Sequence, residues 1–250
     1  MIAAHRVLKL DEPDPTSAGL CALTIMTKAP RAGNVKTRLV PPLTPEEAAA
    51  LNICFLRDTA AAISKVRAGA RGIGCYTPLG SESVYREIFP ANFQLIPQRG
   101  HSFGERLILA TEDLLKIGFH SVCLIDSDSP TVPPTIFAEA IKVLAAPNDK
   151  VVLGPSEDGG YYLIGLQNAH RRMFEEVEWS TERVFAQTME RAVDLGLEVH
   201  LLPAWYDVDD HATLNRLCEE LLSPNESAVE SAAPATCEML RRILAKLPSR

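Results

Sequence analysis

The chain of 250 residues has no Cys-x-x-Cys pair, few aromatic residues (6%), no surplus of positive charge and no long apolar run. Each shortage excludes something. The six cysteines, Cys21, Cys54, Cys75, Cys123, Cys218 and Cys237, are scattered, so zinc-ribbon and thioredoxin-like chemistry fall away. Cys21 and Cys123 sit inside apolar, strand-like runs and read as small buried hydrophobes in a reducing compartment, the cytoplasm. The longest apolar runs, 20–26 and 121–125, fall far short of the roughly 18–20 residues a spanning helix needs, which argues against integral membrane association. Lys and Arg number 25 against 32 Asp and Glu, a formal net charge of −7. That balance disfavours a nucleic-acid binder with a broad basic surface. Residues 1–19 hold Asp11, Glu12, Asp14 and two prolines, which is neither a signal peptide nor an Arg-rich transit peptide. They are expected to form a poorly ordered polar leader. What remains is the composition of a globular protein, 46% hydrophobic and 23% charged, long enough to bury a sizeable core.

Short apolar runs bounded by turn residues predict strands over 20–27, 71–76, 93–97, 121–126, 150–154, 161–166 and 197–202. Helical patterns lie between most of them, over 44–67, 102–116, 134–145, 181–195 and 210–222. Thr44-Pro45-Glu46-Glu47 and Ser102-Phe103-Gly104-Glu105 are capping boxes. Gly118 and Gly196 stand where helices want a left-handed C-cap. Strand–helix alternation predicts an α/β fold with a mostly parallel, Rossmann-like sheet flanked by helices. Residues 20–222 form the domain, 223–235 read as a linker, and 236–250 carry a C-terminal helix. That helix, about 236–247, is amphipathic through Met239, Leu240, Ile243, Leu244 and Leu247 and is expected to pack on the domain or on a partner subunit of a homo-oligomer.

In an open parallel sheet ligands bind beyond the carboxyl ends of the strands, so the loops there carry the functional reading. The loop after the first strand holds Lys28, Arg31, Lys36 and Arg38 within eleven residues, with Gly33 among them. Cations with exposed backbone N–H groups suit a polyphosphate. The loop is not a Walker A motif, because Pro30 and Val35 stand where that motif needs glycine. Asp126-Ser127-Asp128 follows the fourth strand, and two such carboxylates can converge on Mg2+ or Mn2+ while leaving room for substrate phosphates. Turn-forming aspartates before Pro130 are the plain alternative.

Glu157 and Asp158 lead into Gly159-Gly160. Either acid is a candidate to orient or deprotonate an acceptor, and the glycines permit close approach of acceptor or sugar; a hairpin turn with incidental acids is the alternative. Asp207-Val208-Asp209-Asp210-His211 adds carboxylates that can join the same metal, although Asp209 or Asp210 also serves as a helix N-cap. Arg99 and His101 precede a helix N-terminus and are placed to touch phosphate. Trp179 is a candidate to stack on the acceptor, with Ser180 or Thr181 as the next N-cap.

The order of K-A-P-R-A-G-x-x-K-T-R-L, D-S-D-S-P, G-P-S-E-D-G-G-Y-Y-L-I-G-L, W-S-T and Y-D-V-D over residues 20–222 resembles the DUF2064 family. Its members are described as glycosyltransferases of the GT-A, nucleotide-diphospho-sugar transferase, superfamily. The resemblance implies a metal-dependent glycosyltransferase that moves a sugar from a nucleotide-diphospho-sugar to an acceptor, with Mg2+ or Mn2+ on Asp126 and Asp128. It implies a further metal contact from Asp209, with Asp207 second, and puts Lys28, Arg31, Lys36 and Arg38 near phosphates. The same basic loop resembles that of nucleotidyltransferases, which activate a phosphorylated acceptor with a nucleoside triphosphate and release pyrophosphate. A non-catalytic nucleotide-binding protein is the third reading.

Overall fold

The computed structural model describes residues 4–66, 69–223 and 232–245. Seven strands form one sheet: β1 (Cys21–Lys28), β2 (Ala70–Thr77), β3 (Gln94–Pro97), β4 (Ser121–Ile125), β5 (Lys150–Pro155), β6 (Tyr161–Leu166) and β7 (Glu198–Leu201). Their spatial order is β3-β2-β1-β4-β6-β5-β7. All pairings are parallel except those of β6, which runs antiparallel to β4 and β5. The exception follows from chain length. Only residues 156–160 join β5 to β6, enough for a hairpin but not for a crossover. The carboxyl ends of the other six strands therefore share one end of the sheet with the β5–β6 hairpin.

Among the described residues six α-helices flank the sheet: α1 (Pro45–Ser64), α2 (Phe103–Ile117), α3 (Pro134–Leu144), α4 (Val184–Asp194), α5 (His211–Leu222) and α6 (Pro234–Leu244). Both expected capping boxes form, Thr44 with Glu47 on α1 and Ser102 with Glu105 on α2. Gly118 closes α2 at φ 118°. One face of the sheet packs Leu23, Ile25 and Cys123 against Leu56 of α1 and Phe137 of α3. The other packs Ile73, Val122 and Leu153 against Leu107 and Leu114 of α2 and Ala192 of α4. Covered on both sides, β4 is buried at all five positions, which is why it reads as an unbroken apolar run.

Three expectations change in detail. Residues 4–19 are not a loose leader: Val7 bridges Leu95, with hydrogen bonds of 2.8 and 2.9 Å to the outer edge of β3. That edge would otherwise present unpaired backbone groups. Asp14 is buried and paired with Arg6 at 2.8 Å. The fourth helix starts at Val184, not 181, and neither Ser180 nor Thr181 caps it; Thr181 instead closes a turn by donating to the Glu178 carbonyl at 2.7 Å. The C-terminal helix, for which packing on the domain or on a partner subunit was open, packs on the domain and begins at Pro234. The Asp58 carboxylate of α1 accepts the N–H groups of Ala235 and Thr236 at 3.0 and 2.8 Å and the Thr236 hydroxyl at 2.6 Å. An N-cap supplied from another helix thus fastens α6, whose Cys237, Leu240 and Ile243 pack with Leu51 and Phe55 of α1 and Leu217 of α5. Most of the expected linker, 224–231, and residues 246–250 of the tail lie outside the described residues.

Candidate active site

Three loops are stitched together at the carboxyl end of the sheet. Asp126 N–H donates to the Tyr162 carbonyl at 2.9 Å, Val208 N–H to the Asp128 carbonyl at 2.9 Å, and Trp205 Nε1 to Thr131 Oγ1 at 3.0 Å. Trp205 also bridges Ser156 in the hairpin. The Asp126–Asp128 turn, the hairpin and the 205–210 segment are thereby held side by side.

The acids of this cluster differ sharply. Asp126 accepts from Ser129 Oγ at 2.8 Å and from the Asp128 N–H at 3.4 Å. No cation among the described residues pairs with it. Burial pushes its carboxyl well above the usual range, and the neighbouring Asp128 and Asp207 add to that push. Asp207 is also raised, first by burial and then by Asp158 and Asp209, partly offset by the Ser156 hydroxyl at 2.8 Å. Asp128 and Asp209, in contrast, share the Lys36 ammonium, at 2.7 and 2.8 Å. Burial would raise Asp209, but Lys36 and then Arg38 hold it below the usual carboxylate range.

Lys36 is the unexpected centre of this arrangement. Its side chain is only 4% exposed. Nζ also donates to the Val208 carbonyl at 2.7 Å and lies 5.5 Å from the centroid of the Phe55 ring. Burial works against the ammonium, yet Asp128 and Asp209 overcome it and leave its pKa above the ordinary lysine value. Its backbone is left-handed, at φ 48°, a conformation uncommon outside glycine. The other cations of the same loop behave differently. Lys28 and Arg31 are exposed and make no side-chain pair among the described residues. Arg38 is 69% exposed and reaches Asp209 only at 3.9 Å. Gly33 supplies the turn between them at φ 75°.

The remaining candidates are placed as follows. Glu157 is drawn outward into a two-pronged ion pair with Arg216 of α5, at 2.6 and 3.1 Å, and Arg216 stacks on Tyr206, 3.9 Å from the ring centroid. Asp158 stays by the acid cluster and accepts the Gly160 N–H at 2.8 Å. Gly159, at φ 89°, presses on the chain leading into α4: a Cβ there would meet the Glu182 carbonyl oxygen at 2.2 Å. Trp179 packs edge-on to Phe103 and Tyr161, with centroids 5.2 and 6.4 Å away. Arg99 is spent on Asp113, with contacts of 2.9 and 2.5 Å. Asp210 caps α5 through the Thr213 N–H at 2.9 Å, which leaves Asp209 to Lys36. His211 and His101 are exposed. Sequence reasoning missed Ser129, Ser156 and Arg216. Ser129 was within the D-S-D-S-P motif itself, where a hydroxyl three residues on can close over the first carboxylate; nothing in the sequence pointed to Arg216.

Among the described residues, no group of three His, Cys, Asp or Glu stands ready to hold a metal, and no helix is long and apolar enough to cross a membrane. Residues 60–181 match the family model described as "Uncharacterized protein conserved in bacteria (DUF2064)". No curated protein matches the chain. Among solved structures, a "putative nucleotide-diphospho-sugar transferase" from Desulfovibrio desulfuricans G20 is similar at 28% identity and TM-score 0.76, over 89% of this chain and 97% of that one. The CMP:2-keto-3-deoxy-manno-octonic acid synthetase complexed with CTP shares the fold at 13% identity and TM-score 0.52, over 79% of this chain and 96% of that one. So does the 4-diphosphocytidyl-2C-methyl-D-erythritol synthase from Anaerococcus prevotii DSM 20548, at 12% identity and TM-score 0.52, over 82% and 97%. The chain thus carries the DUF2064 match over residues 60–181, on the α/β fold that its ordered motifs led us to expect.

Proposed function

We propose that the protein is a metal-dependent glycosyltransferase that takes a sugar from a nucleotide-diphospho-sugar to an acceptor. The observation that carries this reading is the half-buried Asp126 carboxylate, without a cation partner among the described residues, beside Asp128 and Asp207 at the end of the sheet where the first loop carries exposed cations. The donor set is all carboxylate oxygen, which suits a hard divalent ion, Mg2+ or Mn2+. Asp126 and Asp128 would hold it, Asp209 would add to it, and substrate phosphates would complete its coordination. Such an ion neutralises charge on a departing diphosphate.

The chain's own residues do the rest. Lys28 and Arg31, without a side-chain partner among the described residues, and the exposed Arg38, only loosely held by Asp209, would meet phosphate oxygens, with the turn at Gly33 bringing backbone N–H groups close. Asp158, on the hairpin near Asp207, would orient or deprotonate the acceptor. Glu157, tied to Arg216, holds the hairpin to α5 instead. Gly159 and Gly160 shape the hairpin, and Trp179 lines its approach from the α2 side.

The test is thermal stability against UDP, GDP, CDP, ADP and dTDP, their sugars and the nucleoside triphosphates, with and without Mn2+, on the wild type and Asp128→Asn. A Mn2+-dependent shift with one diphosphate or its sugar, lost in the variant, supports the reading. Nucleoside diphosphate release from the matching sugar donor completes it. A second reading, nucleotidyl transfer from a triphosphate to a phosphorylated acceptor, is favoured by one feature: four cations in a single loop are more than a diphosphate requires. A shift confined to a triphosphate, with pyrophosphate release, would move the assignment there.

A further inference from the structure

Lys36 does not fit the role that its loop suggests. An ammonium has three N–H donors. In Lys36 all three are taken, by Asp128 Oδ1, Asp209 Oδ1 and the Val208 carbonyl, at 2.7, 2.8 and 2.7 Å. None is left for a phosphate. The seat is also built rather than incidental. The left-handed backbone at φ 48° aims the side chain inward, the Phe55 ring lies beside the charge, and the loop carrying Lys36 is anchored by Leu39, buried with Leu43 against α1 and α5.

We propose that Lys36 is the resident cation of the Asp128–Asp209 pair, and that a divalent metal reaches this pair only by displacing it. The proposal rests on the metal reading above and adds a positioning role to it. With no metal bound, Lys36 offsets the repulsion between the two carboxylates and pins the first loop to the 205–210 segment. A divalent cation entering between Asp126 and Asp128 competes for the Asp128 oxygen that Lys36 holds. The two cations cannot share so short a space without strong repulsion, because the Lys36 side chain is only 4% exposed and its charge is poorly screened by solvent. The ammonium, once released, has its donors free for the phosphates that arrive with the metal. Lys36 thereby makes empty-handed metal binding weak and ties tight metal binding to the arrival of an anionic ligand.

The experiment is a Mn2+ titration by calorimetry, without nucleotide, on the wild type, Lys36→Met and Arg38→Met. Lys36→Met keeps the length and removes the charge and its donors. Its Mn2+ affinity is expected to rise by at least about tenfold over the wild type. Arg38→Met removes the same unit charge from an exposed position 3.9 Å from Asp209, and its affinity is expected to rise by less than about threefold. A purely structural lysine would give the opposite sign, weaker binding on removal. Equal or weaker binding in Lys36→Met, or equal gains in both variants, overturns the lysine proposal and leaves the metal reading intact. An absence of Mn2+ binding in all three proteins overturns the lysine proposal, and the same absence after a nucleoside diphosphate is added overturns the metal reading as well.

A second measurement uses the wild type alone and does not depend on the variant folding. The buried, triply bonded Lys36 ammonium gives a slowly exchanging N–H resonance, which is followed as Mg2+ is added. Its loss or large shift on saturation supports displacement, and an unchanged resonance through saturation overturns it.

Discussion

Asp126 and Asp128 stand two residues apart on one turn, yet their surroundings are opposite. Asp128 has the Lys36 ammonium at 2.7 Å. Asp126 has only a serine hydroxyl and a backbone N–H, and burial with two acidic neighbours drives its carboxyl well above the usual range. A D-x-D triplet therefore specifies residue types but not charge balance. The balance comes from a loop some ninety residues earlier in the chain. One acid of the triplet is compensated by the protein itself, and the other is left for a ligand to compensate.

The sharpest way to break this contrast is to neutralise each acid in turn. Asp128→Asn removes a metal ligand and one of the three Lys36 contacts. We expect loss of the Mn2+-dependent thermal shift and at least about a hundredfold fall in turnover, read with the cognate donor. It also lowers stability, because Lys36 stays buried with one fewer partner. Asp126→Asn is expected to lose metal-dependent activity to a similar degree but to move stability the other way. A carboxyl whose folded-state pKa is raised contributes its stabilisation fully below the unfolded-state pKa and loses it as pH rises through the folded value. Asn escapes that loss. In metal-free buffer at about pH 8 the variant should melt higher by about 2–4 °C, near 1 kcal/mol for a chain of this size, and the gain should shrink toward acid pH. A Tm that falls for both variants to the same extent would erase the distinction between the two acids.

The next contrast is between the two glycines of the hairpin. A Cβ at Gly159 would strike the Glu182 carbonyl oxygen at 2.2 Å, whereas at Gly160 it would meet only Asp158 Oδ1, at 3.1 Å. Gly159 also carries φ 89°. Gly159→Ala is expected to cost about 2–3 kcal/mol, seen in a urea denaturation curve, and to shift the chain that leads into α4. Gly160→Ala should cost under about 1 kcal/mol. Somewhat milder than the first is the loss of the cross-helix cap. Asp58→Ala strips two N–H groups and a hydroxyl of their acceptor at the start of α6, and should cost about 2 kcal/mol. Faster proteolytic removal of α6 from an otherwise folded domain is the readout.

Much of this could be read from the chain. The central strands were legible because a sheet covered on both faces demands near-continuous apolar runs, as in Ser121–Ile125, whereas the edge strand Glu198–Leu201 shows only alternation. The capping boxes at Thr44 and Ser102 marked helix starts, since cap chemistry is local. What the sequence withheld is pairing at a distance. Asp113 is fourteen residues from Arg99, and Arg216 fifty-nine from Glu157. No local pattern reveals that one consumes a candidate phosphate ligand and the other a candidate base. The N-terminal segment hides its role for a similar reason. Residues 4–19 look polar because only Leu8 and a few others are buried, while their backbone does the work of closing the β3 edge. The fourth helix starts later than the cap-type residues Ser180-Thr181 suggest, because Thr181 spends its hydroxyl on the Glu178 carbonyl.

The last contrast separates two arginines that the sequence put in one class. Arg31 is exposed with no partner among the described residues, whereas both prongs of Arg99 rest on Asp113. If phosphate binding needs free donors, Arg31→Gln should weaken the cognate diphosphate by about 1.5–3 kcal/mol, roughly tenfold or more, while Arg99→Gln leaves its Kd within about twofold. Arg99→Gln should instead cost about 1 kcal/mol of stability, somewhat more than a fully exposed pair, because Asp113 is only 6% exposed and is left without its partner. Calorimetric titration of the diphosphate with Mn2+ present reads both variants in one series. Equal loss of affinity in the two would mean that Arg99 lets go of Asp113 to meet the ligand, and the site would then extend from the first loop across to the N-terminus of α2.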